Sequence, residues 1–345
     1  MIRSELVGIL ELVGRALADQ PMVPIFTCYC FTGTHVLAYN DAIGIVAPCQ
    51  SKEVFAVNGK TLLGLLKNSL AKDVEFTLEE HDCVIKAGRS TFRLPWFKQD
   101  EFLFEEPTDK WLAKIAINDE MLWGLSACLQ TASKDNTQNA LMGVCLNGVQ
   151  HTLYSCDGDA VTRYTLNKNQ KSAIVAMIPS AFVETVLKIA EVVDAVVGAW
   201  ELDVNHEWAK AVIGEYVVYG RLIENAEPFD HAKEIKNTIE VMPEFTPIPK
   251  GLSHALARAL VVGAPESKPT RLMVRDGRLR LLTEGAMGVV RDSLQYVHRS
   301  EVQANVNAEF VQRAIGLCDE MAILENCTVY KKGTVLFQLI GNMSS

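Results

Sequence analysis

Six short segments of the chain repeat one pattern of apolar and polar positions. In each, an apolar residue precedes two or three residues that commonly start helices, and a second apolar residue follows at or next to the fourth position. The segments are Ile2–Leu6, Val57–Thr61, Ile117–Met121, Ile178–Phe182, Ile248–Leu252 and Val306–Phe310. Asn58, Asn118 and Asn307 stand where a side-chain oxygen would cap a new helix. Pro179 and Pro249 suit a first helical turn. The pattern predicts six helices.

Turn signals follow every second predicted helix start. Glycine accepts positive φ, so Asn-Gly and Asp-Gly between alternating apolar runs predict hairpins. The signals are Gly33, Asn147-Gly148 and Asp276-Gly277, and an acidic residue follows each: Asp41, Asp157 and Glu284. The recurrence predicts three related α+β units of about 115 to 130 residues, each a helix, strands, a second helix and more strands. Polar linkers at Glu105–Asp109 and Asn225–Pro247 set the predicted domains at 1–110, 111–238 and 239–345.

The apolar spacing also predicts where elements begin and end in the first unit. Helix 1 is expected over about Ser4 to Ala18, and helix 2 from Asn58 to about Leu70. Strands are expected at Ile25–Phe31, Val36–Tyr39, Ile43–Ala47, Val74–Leu78, Cys83–Lys86 and Thr91–Leu94. Their period of two is typical of half-buried antiparallel strands.

Composition is that of a globular chain. It has 345 residues, of which 49% are hydrophobic. No apolar run reaches the roughly 18 residues that a membrane span needs, and the charged start is unlike a signal peptide, so a cytoplasmic protein without membrane contact is expected. Nine cysteines are scattered without a Cys-x-x-Cys pair, which favours reduced core residues.

The net charge of −9 argues against a protein that simply coats nucleic acid. Several cations nevertheless fall on the predicted helices. Lys60 and Lys67 lie seven residues apart, and Lys250, His254 and Arg258 follow at four-residue steps. Arg15, Lys188 and Arg313 are single cations, and Lys134 follows the third helix start. A solvated helix face is the alternative interpretation.

Motifs in all three units resemble the bacterial DNA polymerase sliding clamp, the beta subunit or processivity factor. The first unit has Pro21–Ile25, Ala87–Phe92 and Asp100–Phe102. The second has Ala132–Asp135, Leu141–Val144, Cys156–Gly158, Ile178-Pro179, Arg221–Glu224 and Pro228. The third has Ala255–Val262 and Val306–Val311. Each motif alone is weak, and their order across three units is specific.

The resemblance implies a non-catalytic ring without cofactor or metal. Each chain would supply three clamp domains, with two helices packed on antiparallel sheets in each, and would form half of a homodimeric ring. Duplex DNA would thread the ring independently of sequence, and short peptides would recruit the DNA polymerase and the clamp loader. By position, the residues expected to face DNA are Lys60, Lys67, Lys134, Lys188, Lys250, Arg258 and Arg313. Gln20 stands where the family commonly has a basic residue.

Two further sites are carried over from the family. Ring closure would use Phe102 and Phe104 against Val261 and Val262 of a second copy, with core packing as the alternative role of these side chains. The partner-peptide pocket would comprise Leu141, Gly158, Val161, Pro228 and Met343. Asp159 and Ala160 replace the usual His-Arg, and Ala232 falls near an expected arginine. A partner peptide different from the standard bacterial motif is therefore expected.

The sequence leaves two other functions open. Asp157 and Asp159 are hard oxygen ligands, so a metal-dependent nuclease is conceivable, with Asp135 or Glu224 as additional ligands. Against it, Asp41 and Glu284 hold the corresponding places in the other units, and no phosphate-binding loop or zinc motif is present. The second alternative keeps the clamp fold as a protein-interaction scaffold that does not encircle DNA.

Overall fold

The computed structural model describes residues 1–19, 23–133, 141–167, 172, 174–193, 200–223, 243–263, 269–297, 301–325 and 327–343. Six α-helices lie in this part of the chain, as the apolar repeat predicts. They are α1 (Arg3–Val13), α2 (Gly59–Lys67), α3 (Asp119–Leu129), α4 (Ser180–Val192), α5 (Leu252–Gly263) and α6 (Ala308–Leu317).

The described strands fall into three series. The first is β1 (Cys28–Thr32), β2 (His35–Tyr39), β3 (Ile43–Pro48), β4 (Val54–Asn58), β5 (Val74–Leu78), β6 (Asp82–Ala87) and β7 (Ser90–Phe97). The second is β8 (Ala113–Ile117), β9 (Gly143–Asn147), β10 (Thr152–Cys156), β11 (Ala160–Thr165), β12 (Val175–Pro179), β13 (Trp200–Val204), β14 (Trp208–Ile213) and β15 (Tyr216–Arg221). The third is β16 (Thr246–Pro247), β17 (Thr270–Arg275), β18 (Arg278–Gly285), β19 (Gly288–Gln295), β20 (Val302–Val306), β21 (Glu320–Ile323), β22 (Cys327–Lys332) and β23 (Leu336–Gly341).

One order of elements recurs three times along the chain. A helix, four strands, a second helix and three strands follow one another, and in the second and third series one more strand, β8 or β16, precedes the first helix. Neighbouring strands pair antiparallel throughout the described sheets. The predicted α+β repeat is thus confirmed, whereas the domain boundaries near residues 110 and 238 stay a prediction.

Contacts group the chain into two compact units that do not follow those boundaries. The first comprises Met1–Asn118 and Ala181–Leu222, and the second Asp119–Ser180 and Ile223–Ser345. In the first unit, β3 pairs with β15 and completes an 11-stranded sheet, β5-β6-β7-β4-β1-β2-β3-β15-β14-β13-β8. In the second, β11 pairs with β23 within the 8-stranded sheet β12-β9-β10-β11-β23-β22-β21-β16. A separate 4-stranded sheet has the order β19-β18-β17-β20.

Local side chains explain several helix starts and turns. The Asn58 side chain accepts the Thr61 N–H at 3.0 Å, and the Asn307 side chain accepts the Glu309 N–H at 2.9 Å, so two of the three predicted caps are confirmed, and the cap at Asn118 stays a prediction. Asp276 and Gly277 both have positive φ, 54° and 68°, in the turn between β17 and β18. This pair fits the left-handed two-residue hairpin turn that the Asp-Gly signal predicts.

The turn after β9 differs from the prediction. The left-handed residue is His151, with φ 54°, and not Gly148. The Asn147 side chain accepts the Gln150 N–H at 2.9 Å, which closes a longer turn. Gly148 is needed for a different reason, because a Cβ there would lie 2.6 Å from the carbonyl oxygen of Ser172.

Both predicted helices of the first unit are too long by several residues. Helix α1 ends at Val13 and continues as a short 3-10 turn over Gly14–Ala16. The Tyr29 hydroxyl donates to the Leu10 carbonyl at 2.7 Å and lies where a Cβ on Gly14 would come within 2.5 Å. Helix α2 ends at Lys67, and Leu70 is fully exposed. These ends depend on tertiary packing, which apolar spacing does not report.

Two further sequence predictions concern the core and the first strand. All nine cysteines are buried and free, as expected of reduced core residues. The strand predicted over Ile25–Phe31 begins only at Cys28, because Pro24–Thr27 forms a 3-10 turn. Within the part of the chain that the structure describes, no helix is long and apolar enough to span a membrane.

Candidate nucleic-acid interface

In the first unit, helices α1, α2 and α4 line an open groove of about 540 Å³. Its apolar lining includes Leu12, Leu17, Leu63 and Val192. Helix α2 can start close to this lining because residue 59 is glycine: a Cβ there would lie 2.5 Å from Leu17 Cδ1. The close approach brings side chains from three helices around one groove.

Four cationic side chains border this groove. They are Arg15, Lys60, Lys67 and Lys188, and the carboxylates among the lining residues are Glu11 and Asp19. With Glu191, which pairs with Lys188 just outside the lining, four positive charges meet three negative ones, so the groove has a local charge of +1 in a chain whose net charge is −9. Three of the predicted DNA-facing residues therefore meet at one surface. Arg15, a further cation in the short turn after α1, borders the same groove.

The lysines of the groove make ion pairs that stay in solvent. Lys60 Nζ lies 2.7 Å from Asp19, and Lys67 Nζ lies 2.7 Å from Glu11. Lys188 pairs with Glu191 at 2.7 Å one helical turn away. The hydrogen bond from Lys60 lowers the pKa of the Asp19 carboxyl. Exposed pairs of this kind contribute little to stability, so a phosphate can replace the carboxylate at small cost.

The cation of α5 in the second unit is held differently. Arg258 donates from Nε and Nη2 to the two carboxylate oxygens of Asp292 on β19, at 3.1 and 2.8 Å. These hydrogen bonds raise the pKa of the Arg258 guanidinium, and the Asp292 side chain is only 20% exposed. A two-pronged contact of this geometry fixes the guanidinium in place. It ties α5 to the sheet beneath.

Arg313 on α6 is also committed to its own unit. It donates to the Gln130 carbonyl at 3.0 Å, pairs with Glu309, and lies 5.6 Å from the centre of the Phe310 ring. Lys250 is exposed but precedes α5, so the predicted four-residue steps with His254 and Arg258 do not form one helix face. Lys134 lies outside the described residues.

The second unit contains an apolar cluster at the predicted peptide pocket. Cys156 and Val161 are buried there, and the partly buried side chains packed on them are Leu141, Phe337 and Leu339. Strand pairing explains the meeting, because Val161 of β11 lies opposite Leu339 of β23. Sequence reasoning missed Phe337 and Leu339, although alternation along Leu336–Gly341 indicates one exposed face.

The other three predicted pocket residues, Gly158, Pro228 and Met343, are not among the side chains of this cluster. Gly158 forms the adjacent turn with φ 103°, and a Cβ there would meet no atom within 4 Å. The Met343 N–H donates to the Asn305 carbonyl at 2.8 Å, which places Met343 beside β20. Pro228 and Ala232 lie outside the described residues. The structure therefore brings together two of the five predicted pocket residues, with a third at the edge.

Phe102 and Phe104 pack inside the first unit. The Phe104 ring centre lies 4.8 Å from that of Tyr39 and 5.4 Å from that of Tyr219. Phe102 packs against the buried cluster of Ile25, Cys28, Cys30 and Ala56. These contacts favour the core-packing alternative for both side chains. On α5, Val261 is 74% exposed and Val262 is partly exposed, and their role in ring closure stays a prediction.

Asp157 has a structural role in the turn between β10 and β11. Its Oδ1 accepts the N–H groups of Asp159 and Ala160 at 3.0 and 2.8 Å. Asp41 occupies the equivalent turn between β2 and β3, and Glu284 is the residue before the end of β18. Among the described residues, no three His, Cys, Asp or Glu side chains are grouped as metal ligands. In the turn between β2 and β3 it is the Asn40 side chain that accepts the N–H groups of Ala42 and Ile43, so among the three acidic residues only Asp157 has this turn-closing role.

Solved structures of bacterial clamps are similar to the chain over its whole length. The C. crescentus beta sliding clamp matches with a TM-score of 0.85 and 16% identity, covering 100% of this chain and 98% of that chain. The DNA polymerase sliding clamp of Pseudomonas aeruginosa matches with a TM-score of 0.83 and 16% identity, covering 100% and 99%. The chain has the sliding-clamp fold.

A third solved structure with the sliding-clamp fold, the Helicobacter pylori beta clamp bound to a DNA ligase peptide, has a TM-score of 0.78 and 14% identity. It covers 100% of this chain and 99% of that chain. No protein-family model matches the sequence, and no curated protein matches it either. The sliding-clamp fold is thus retained at an identity where sequence comparison fails. Both cationic regions lie within this fold: the groove lined by α1, α2 and α4, called the lysine groove below, and the helix pair α5–α6.

Proposed function

We propose that the chain is a DNA sliding clamp, a ring of two copies that encircles duplex DNA and tethers a DNA polymerase without catalysing a reaction. The observation that carries the proposal is the sliding-clamp fold over the full chain, with its element order repeated three times. The lysine groove of the first unit supplies a surface for phosphates. A loose, backbone-only contact suits a protein that must slide.

Strand pairing supports closure by a second copy. The third strand of the first series pairs with the last strand of the second, β3 with β15, and the same step joins β11 to β23. The next step would pair β19 with the last strand of the first series, β7. Within the described chain, β19 pairs only with β18, and residues 90–95 of β7 pair only with β6. Head-to-tail pairing of two copies would use both free edges.

Recruitment of partners is proposed at the apolar cluster of Leu141, Cys156, Val161, Phe337 and Leu339. The Helicobacter pylori clamp binds a ligase peptide, so peptide capture is compatible with this fold. Apolar anchors dominate the energetics of such small interfaces. Asp159 follows Gly158 at the edge of the cluster, where the family usually has a basic residue. A polymerase or loader peptide with a basic residue beside its apolar anchor is therefore favoured.

Threading can be tested without a loader. A duplex is fixed to a bead at one end, the protein is added so that it passes over the free end, and streptavidin then blocks that end. We expect protein to survive a high-salt wash on the blocked duplex and to leave the duplex with a free end. Equal loss from both would favour the scaffold, and equal retention would indicate ordinary binding without encirclement.

Val289→Pro separates ring closure from simple DNA affinity in that assay. The two-residue loop after Gly285 makes Gly285 and Gly288 a hydrogen-bonded pair, so by alternation the Val289 N–H points away from β18. Proline there removes a donor from the free edge only. We expect Val289→Pro to sediment as a monomer and to lose retention on blocked duplex, and Val289→Ala to behave like the wild type.

A further inference from the structure

One face of the 4-stranded sheet is rich in arginine. Helix α5 packs on β18 and β19, and Leu279 and Leu281 are buried on that side. Alternation puts the opposite set of side chains on the outward face, and the arginines there are Arg271, Arg275, Arg278, Arg280 and Arg291. The carboxylates on or beside this face are Asp276, Glu284, Glu301 and Glu325, so five positive charges meet four negative ones.

Three of these arginines surround two apolar side chains. The register places Arg280 opposite Met273, and places Leu282 between Arg271 on one neighbouring strand and Arg291 on the other. A shallow depression of about 280 Å³ is lined by Met273, Arg280, Leu282, Arg291 and neighbouring residues. Cations around an apolar centre form a surface that can recognise both a charge and an aliphatic side chain.

The charges of this face are only partly neutralised by described residues. Arg271 and Arg291 make no ion pair with any described residue, and the ion pair of Arg280 is a 3.5 Å contact to Asp276. Arg275 pairs with Glu301 at 3.4 Å and with Asp276 at 3.8 Å, and Arg278 lies directly opposite Arg275 across β17 and β18. Like charges in cross-strand positions destabilise a sheet. A face that keeps them in an acidic chain is better suited to binding an anionic partner than to stabilising the fold.

The corresponding faces of the other two series are different. The face of β1–β3 is apolar, with Cys28, Cys30 and Leu37, and is covered by Phe102 and Phe104. The face of β9–β12 is also apolar, with Cys145, Tyr154 and Met177 packed against Ile223. In the third series, no described segment covers the arginine face. Its departure from the repeat indicates a function of its own.

We propose that this face binds an acidic segment of a partner protein. Carboxylates of the segment would engage Arg271, Arg280 and Arg291, because the guanidinium fork matches a carboxylate in geometry and charge. One aliphatic side chain would lie between Met273 and Leu282. Single-stranded nucleic acid fits less well, since the described residues of this face offer no aromatic ring on which bases could stack. The site lies on the side away from α5, so it stands independently of the proposed DNA contacts.

The test is fluorescence anisotropy with a labelled peptide, Asp-Glu-Glu-Leu-Glu-Glu-Asp. We expect Arg280→Glu combined with Arg291→Glu to weaken its binding by about tenfold or more. A control with Lys52→Glu and Lys72→Glu reverses two exposed lysines in the first unit and changes the net charge equally. We expect this control to bind the peptide like the wild type.

Three results would overturn the proposal. One is equal weakening in the control, because total charge would then explain the binding. Another is unchanged affinity when serine replaces the leucine of the peptide, since no apolar anchor would be needed. The third is tighter binding of oligothymidylate at the same arginines. If circular dichroism shows that the double reversal unfolds the chain, Arg280→Gln with Arg291→Gln serves instead, and unchanged affinity in that variant contradicts the site.

Discussion

The lysine groove of the first unit and the helix pair α5–α6 of the second both carry cations that the sequence marks as DNA-facing. In the groove, Lys60 and Lys67 are 63% and 48% exposed and pair with carboxylates that are themselves in solvent. On the helix pair, Arg258 is locked to a mostly buried Asp292, and Arg313 donates to a backbone carbonyl. The cations of the two regions thus carry the same charge, but those of the groove are in exposed ion pairs and those of the helix pair are fixed by hydrogen bonds.

The difference separates cations that can exchange partners from cations that maintain the fold. A lysine in an exposed pair keeps its mobility and can transfer to a phosphate, because the lost carboxylate returns to water. An arginine with two hydrogen bonds to a mostly buried carboxylate would leave that carboxylate unpaired if it moved. Position on a helix is therefore insufficient to assign DNA contact, and the partner of each cation must be known.

The largest expected effect comes from neutralising the groove. Lys60→Ala, Lys67→Ala and Lys188→Ala together should reduce the salt dependence of duplex binding by about three in the slope of log K against log salt, one per phosphate contact. Binding of a labelled duplex measured at several salt concentrations gives the slope. Arg258→Ala with Arg313→Ala is the comparison, and we expect it to leave the slope nearly unchanged. A slope reduced as much by the arginine pair would remove the distinction between the two regions.

A smaller effect is expected inside the second unit, where a buried polar network holds the end of α3. The Thr162 hydroxyl accepts from Thr131 at 2.6 Å and from Gln338 at 3.0 Å. Thr162→Val leaves the Gln338 amide without this acceptor and should lower the free energy of unfolding by about 1–3 kcal/mol. Urea unfolding measures the change. Thr165→Val, on the same strand but partly exposed, should change it far less, and equal losses would contradict the role of the network.

The sequence predicts what depends on neighbours along the chain. Asn58 and Asn307 cap helices two or three residues away, and Asp276-Gly277 forms its own turn, so these features follow from local chemistry. The threefold order of elements follows because each series repeats the same local signals. Lys60 and Lys67 reach one groove because seven residues are close to two helical turns.

Features that depend on distant residues were not predictable in this way. Asp292 lies 34 residues from Arg258, and only the fold places the carboxylate under α5. Phe337 joins the apolar cluster because β23 pairs with β11, a pairing of residues 172 to 180 positions apart that no local pattern specifies. The end of α1 is set by the Tyr29 hydroxyl on β1. In each case the sequence supplies the residue type, and the topology supplies the partner.

The smallest expected effect concerns Asp157 of the second unit, whose carboxylate accepts two backbone N–H groups in the turn between β10 and β11. Burial is the main cause that raises the pKa of its carboxyl, so the folded chain holds the proton more tightly than the unfolded chain. Ionisation therefore costs stability as pH rises through the unfolded and then the folded pKa, and the cost is fully present above the folded pKa. Asp157→Asn keeps an oxygen for the N–H groups of Asp159 and Ala160 without that cost.

Relative to the wild type, Asp157→Asn should gain stability between acidic and neutral pH. Urea unfolding of both chains at several pH values measures the difference, and Asp157→Ala, which lacks the acceptor, should be the least stable at neutral pH. If Asp157→Asn instead lost stability as pH rose, the carboxylate charge would be favourable in the folded chain. The turn would then hold a charged group for a purpose beyond its two backbone hydrogen bonds.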